Sequence, residues 1–128
     1  MADQNTNHES STYEGSCHCG RVAFELQADA PIESAMDCNC SLCRRRGSLL
    51  AFFPREQLRL KTPEADMATY TFNRHAIQHH FCPNCGIGVF GEAVDPRTGK
   101  PTAAVNVRVL PAVDLAALKI TMFDGASR

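Results

Sequence analysis

Cys38-Asn39-Cys40-Ser41-Leu42-Cys43 packs three thiols into one short stretch, a density that is hard to explain unless the sulfurs share a metal ion. Working outward, Cys17 and Cys19 precede it and Cys82 and Cys85 follow, so the seven cysteines fall in the pattern 2, 3, 2. C-x-C and C-x2-C are spacings that zinc ligands use. Structural zinc sites close with four protein ligands, whereas catalytic ones commonly use three and leave a position for water or substrate. Seven divides as four plus three.

Cys82-Pro83-Asn84-Cys85-Gly86 has the form of a zinc knuckle, in which the glycine lets backbone N–H groups turn toward the sulfurs. Cys17 and Cys19, within Gly15-Ser16-Cys17-His18-Cys19-Gly20, carry the same flanking glycine and complete a four-thiolate site. Cys38, Cys40 and Cys43 then form an open one. Grouping those three with one outside cysteine would strand three thiols and break the pairing. Two other uses stay open on spacing alone: six cysteines paired as disulfides in a secreted chain, or Cys38, Cys40 and Cys43 as reactive redox thiols.

At 128 residues, 44% of them hydrophobic, the chain fits one domain whose modest core gains from cross-links. Residues 1–12 are polar and aperiodic and read as a flexible tail; residues 13–128 read as a single zinc domain. A net charge of −1 gives no basic excess for nucleic acid or an anionic membrane. The N-terminus shows no basic segment followed by an apolar one, and no run approaches the roughly 18 apolar residues of a membrane span. The expected compartment is the cytoplasm, where reducing conditions favour metal binding over disulfides.

Val22, Phe24 and Leu26 alternate with Arg21, Ala23 and Glu25, the period of a half-buried strand. Further strands are expected at Ser48 to Phe53, at Leu58 and Leu60, at Thr69 to Phe72, and at Ile77, His79 and Phe81. For Ser48 to Phe53 a short buried helix satisfies the same pattern. Ile87 to Phe90 and Ala103 to Val109 would form a hairpin around the turn residues Asp95 to Pro101. Asp114 is placed to cap a turn at Leu115 to Leu118, and Ile120, Met122 and Phe123 supply a last strand. Many short strands with fragments of helix predict a mainly β domain of packed sheets or an open barrel.

The ordered motifs G-S-C-x-C-G at Gly15 to Gly20, C-x-C-x2-C-R at Cys38 to Arg44 and F-C-P-x-C-G at Phe81 to Gly86 resemble the glutathione-dependent formaldehyde-activating enzyme family, whose domain also occurs in a centromere-associated protein. Val105 to Leu110 and Asp114-Leu115 extend the resemblance toward Gly125. It implies a β-tent fold with two zincs per chain, a structural one on Cys17, Cys19, Cys82 and Cys85 and a catalytic one on Cys38, Cys40 and Cys43. Asn39 departs from the family, which often carries His at that position.

Three thiolates leave a zinc site with a net negative charge and make it a poor activator of water, so a hydrolase is disfavoured. A soft, sulfur-rich site suits a fourth thiolate, so the partner expected is a small-molecule thiol. The resemblance supplies the rest: glutathione sulfur attacks formaldehyde to give S-hydroxymethylglutathione, and the reverse is carbon–sulfur lysis. The alternative is a zinc-stabilised binding or chaperone-like module without catalysis, since fold does not fix function.

Arg44, Arg45 and Arg46 follow the last ligand and could pair with glutathione carboxylates, with Arg44 matching the family motif; such a run serves equally as a solvated face. Asn106 and Arg108 share a strand face, with a cross-strand role as plausible as substrate binding. His75, His79 and His80 read as surface or strand residues rather than ligands or acids, and His18, between two cysteines, as at most a neighbour of the ligands. Phe52, Phe53, Phe72, Phe81 and Phe90 read as core, or as a wall of a substrate pocket.

Overall fold

In the computed structural model, which describes residues 11–127, alternation decides the first layer. Strand β2 (Ala23–Ala28) buries Phe24, Leu26 and Ala28 and turns Ala23, Glu25 and Gln27 outward. It is the centre of a three-stranded antiparallel sheet, flanked by β1 (Ser11–Ser16) and β5 (Leu58–Leu60). Gly15 pairs with Phe24 across β1 and β2. A Cβ at Gly15 would stand 2.5 Å from Phe24 Cζ and 2.8 Å from Leu110 Cδ2, so the ring occupies space that only glycine leaves open.

The second layer is built from β3 (Ser34–Cys38), β4 (Leu50–Pro54), β6 (Ala68–Tyr70), β7 (Gln78–Phe81), β8 (Gly88–Val94), β9 (Pro101–Asn106) and β10 (Lys119–Phe123). Its order is β10-β3-β4-β9-β8-β7-β6. All neighbours are antiparallel except β10, which runs parallel to β3. The layers meet where Phe24 sets its ring edge against Phe90 at 5.8 Å between centroids, with Val22, Leu26, Leu58, Val89 and Val105 packed around them. Each such side chain stabilises the fold by about 1.5–3 kcal/mol on burial.

A polar clamp ties one end of the large sheet together. His80 lies 2.6 Å from Glu92 Oε2 through Nε2 and 2.8 Å from Thr69 Oγ1 through Nδ1. Arg55 donates to Glu92 Oε1 at 2.8 Å and to the Leu58 carbonyl at 2.6 Å. Three strands of the large sheet and one of the small sheet thus share a single hydrogen-bonded group.

The mainly β architecture of short strands in two packed layers agrees with the sequence reading, while several local expectations are corrected. Strands β1 and β3 were not anticipated. The strand expected over Ala103–Val109 stops at Asn106, whose side chain accepts from Arg108 N–H at 3.2 Å and bends Val107–Val109 into a 3₁₀ turn. The strand expected through Phe72 ends at Tyr70, before Asn73 and His75 turn the chain with φ of 56° and 57°. His80, not Ile77, is the inward residue of its segment, at 4% exposure against 45%, and the register shifts between His80 and Phe81. Phe52, expected in the core, is 51% exposed. Asp114 caps its turn as expected, accepting from Ala116 N–H at 3.1 Å. Of the tail expected over residues 1–12, residues 1–10 lie outside the described residues, and Ser11 and Thr12 belong to β1.

Candidate functional site

The seven thiols come together as two clusters. Cys17 and Cys19 lie on the turn from β1 to β2, and Cys82 and Cys85 on the turn from β7 to β8; their four Sγ atoms all lie within 4.8 Å of one another. The two turns are built alike. Cys17 N–H and Cys82 N–H each donate at 3.0 Å to the carbonyl of a residue five further on, Val22 and Ile87. Gly20 and Gly86, with φ of 84° and 83°, close the turns by donating to the Cys17 and Cys82 carbonyls. Val22 N–H then points at Cys17 Sγ (3.3 Å), and Asn84 and Cys85 N–H at Cys82 Sγ (3.3 and 3.4 Å). Donors of this kind stabilise thiolates: the N–H groups of Ile87 and Cys19 hold Cys85 down to about 6.

The donor set fits zinc. A zinc–sulfur distance of about 2.3 Å implies tetrahedral sulfur–sulfur edges of about 3.8 Å. Cys17 and Cys19 Sγ are 3.8 Å apart, and Cys19 and Cys82 Sγ 3.6 Å, far beyond the roughly 2.0 Å of a disulfide. All seven cysteines are free.

Cys38, Cys40 and Cys43 form the second cluster, also with every Sγ within 4.8 Å of the others. Cys38 ends β3, and Cys40 caps the helix α1 (Ser41–Arg46), its sulfur accepting from Cys43 N–H at 3.3 Å. Gly47, at φ 75°, stops the helix by donating to the Cys43 carbonyl at 2.8 Å. Burial, then the hydrogen bond and charge of Cys40, push the Cys43 thiol up to about 12. Three thiols in this arrangement ionise together only when a cation joins them. No fourth His, Cys, Asp or Glu joins this cluster among the described residues.

The segment after β10 covers these sulfurs. Asn39 N–H donates to the Phe123 carbonyl at 3.1 Å, Asn39 Nδ2 to Asp124 Oδ1 at 3.1 Å, and Asn39 Oδ1 accepts from Ala126 N–H at 2.9 Å. Gly125 is thereby pressed against the cluster: a Cβ there would collide with Cys38 Sγ and stand 3.2 Å from Cys40 Cβ. Neither Asn39 nor Gly125 was singled out for this role from sequence. The contacts span some 85 residues, and no local spacing announces them.

Of the arginine run, Arg44 and Arg45 are exposed, Arg45 bonding back to the Ser41 carbonyl at 2.9 Å, whereas Arg46 is half-buried with its guanidinium 5.4 Å from the Phe81 ring centroid. A narrow cleft of about 40 Å³ opens beside Cys43, lined by Arg46, His79, Gly88 and Phe90 among others, and Arg44 does not reach it. His79 stacks on Phe72 at 5.5 Å, and burial, then Arg46, lowers its affinity for a proton. His18 stays exposed and His75 bonds Thr71 at 2.7 Å. Asn106 is buried and structural, accepting from Leu49 N–H at 3.4 Å and donating to the Gly88 carbonyl at 2.9 Å. Arg108 turns to the Gly47 carbonyl at 2.9 Å.

No helix among the described residues is long and apolar enough to cross a membrane. A crystal structure of a Rhodobacter sphaeroides protein is similar to this chain, with a TM-score of 0.71 and 30% sequence identity over 84% of this chain and 99% of that one. A family model described as glutathione-dependent formaldehyde-activating enzyme matches residues 12–123, which include every cysteine of both clusters. The chain therefore belongs to the glutathione-dependent formaldehyde-activating enzyme family.

Proposed function

We propose that the chain binds two zinc ions and is a carbon–sulfur lyase or thiol-addition enzyme of the formaldehyde-activating type. Cys17, Cys19, Cys82 and Cys85 hold the structural ion; Cys38, Cys40 and Cys43 hold the catalytic one. The observation that carries this reading is the second cluster itself, three clustered sulfurs one ligand short of a tetrahedron. Zinc bound there supplies a soft cationic position at which a thiol such as glutathione loses its proton below its usual pKa of about 8.5. Backbone N–H groups of Cys40 and Cys43 steady two of the protein sulfurs, and Asn39 holds the covering segment in place. Arg44, exposed on α1 directly after Cys43, is assigned to a glutathione carboxylate at the rim.

Elemental analysis of the purified protein is expected to give two zincs per chain, falling to one in a folded Cys40→Ser variant. Titrating glutathione while recording the zinc–sulfur absorption edge is expected to add a fourth sulfur at the open site. A single zinc after zinc-replete expression removes the two-site model. No spectral change at millimolar glutathione leaves a zinc-stabilised binding module as the function.

A further inference from the structure

The large sheet ends at β10, and among the described residues no strand pairs with the outer side of β10. Lys119, Ile120, Thr121 and Met122 are all exposed. Lys119 N–H donates to the Glu33 carbonyl at 3.0 Å, and the Phe123 carbonyl accepts from Asn39 N–H at 3.1 Å. In a parallel ladder alternate residues bond to the neighbouring strand, so Lys119, Thr121 and Phe123 turn their backbone groups toward β3. The N–H and C=O groups of Ile120 and Met122 therefore face away from β3, out of the edge of the sheet.

Side chains follow the same alternation. Ile120 is in register with Ala35, a core residue, and so lies on the side of the sheet that faces the core, as does Met122 two residues on. Yet Ile120 is 40% exposed and Met122 69%. Apolar side chains on the core side and outward backbone groups at the same edge mark a place where one more strand would complete the layer. Few of the devices that blunt an edge are present: β10 holds no proline, and its one charge, Lys119, stands at its start. The other edge strands are less suited, since β5 and β6 have three residues each and β1 carries Glu14 near its centre.

We infer that β10 pairs antiparallel with β10 of a second copy of this chain, about a two-fold axis at Thr121. The strand is its own complement in that register. Ile120 of each copy meets Met122 of the other as hydrogen-bonded pairs, which satisfies the outward N–H and C=O groups of both residues. Thr121 meets Thr121 on the axis, a favourable cross-strand pair. Lys119 falls opposite Phe123 and beside Asp124 of the other copy, so the positive start of one strand meets the negative end of its mate rather than a second lysine. Ile120 and Met122 of the two copies form a four-residue apolar cluster on the core side. The contact is isologous and closes at two copies. It sets the second copy beside the bond from Asn39 N–H to the Phe123 carbonyl, at the root of the segment pressed against Cys38 and Cys40.

Sedimentation of the purified full chain over about 1–100 μM is expected to show the mass rising to twice that of one chain. Thr121→Lys sets two lysines face to face on the axis and is expected to weaken association at least tenfold, with far-ultraviolet circular dichroism unchanged. Thr121→Asp is expected to do the same. An equimolar mixture of the two variants is expected to restore the dimer, because each lysine then meets an aspartate, a rescue that only this register provides. Amide hydrogen exchange gives a second reading on the unaltered protein. Exchange at Ile120 and Met122 is expected to slow as concentration rises, while the amides of β1, at another open edge, keep their rates. A chain that stays monomeric over the whole range overturns the proposal, as does a dimer that Thr121→Lys leaves intact or a mixture of variants that stays monomeric. Should either variant fail to fold, exchange decides: concentration-independent rates at Ile120 and Met122 overturn the proposal, and slowed rates confined to β10 support it.

Discussion

Asn39 stands between two clustered cysteines, yet its side chain serves the covering segment, giving one hydrogen bond to Asp124 and receiving one from Ala126. Both bonds are exposed, so Asn39→Ala is expected to cost no more than about 1–2 kcal/mol. The measurable change is local: hydrogen exchange at Ala126 should rise with little shift in the global unfolding midpoint. Gly125 is stricter. Gly125→Ala places a methyl group where Cys38 Sγ lies, so zinc content should drop from two to one while far-ultraviolet circular dichroism stays unchanged. Arginine choice also belongs to this scale. Arg44, Arg45 and Arg46 are alike in sequence, and only their position on α1, with Arg46 turned toward Phe81, separates two exposed side chains from one in a cleft.

Short elements with a local steric demand were the legible ones. Both knuckle turns need a glycine at positive φ after the second cysteine, and Gly20 and Gly86 state that need beside the cysteines themselves. Alternation identified β2 because its inner face meets a continuous core. It misled at β7, where His80 rather than Ile77, His79 and Phe81 turns inward. What His80 turns toward is Glu92, which also holds Arg55. Glu92→Ala takes the carboxylate from both groups and is expected to destabilise the protein by about 2–3 kcal/mol in urea denaturation, with zinc content unaffected. The helix α1 was missed although Gly47 marks its end, because a six-residue helix has too little periodicity to register.

At the scale of the molecule the two clusters have unequal duties. The four-thiol cluster joins a turn of the small sheet to a turn of the large one, closing a loop from residue 17 to residue 85. A metal ion bound there would restrict the unfolded chain over that loop and contribute about 4 kcal/mol by the loop-entropy estimate. A strong chelator is therefore expected to lower the urea midpoint sharply, and Cys17→Ser to misfold. The three-thiol cluster spans only one strand end and one helical turn, so its loss should leave both sheets intact. Division of the thiols was readable from their 2, 3, 2 spacing; which layers they join was not, because sheet order depends on non-local pairing. The parallel pairing of β10 with β3 is the clearest example.

That pairing sets a schedule for a chain made from its N-terminus. Cys85 emerges before residues 119–127, so on the two-zinc reading all four thiols of the sheet-joining cluster can meet zinc while Cys38, Cys40 and Cys43 still lack their cover. The open cluster consequently passes through a stage of greater access during synthesis than it has after folding. On the two-zinc reading, the open cluster is expected to load more readily in that interval than in the finished protein.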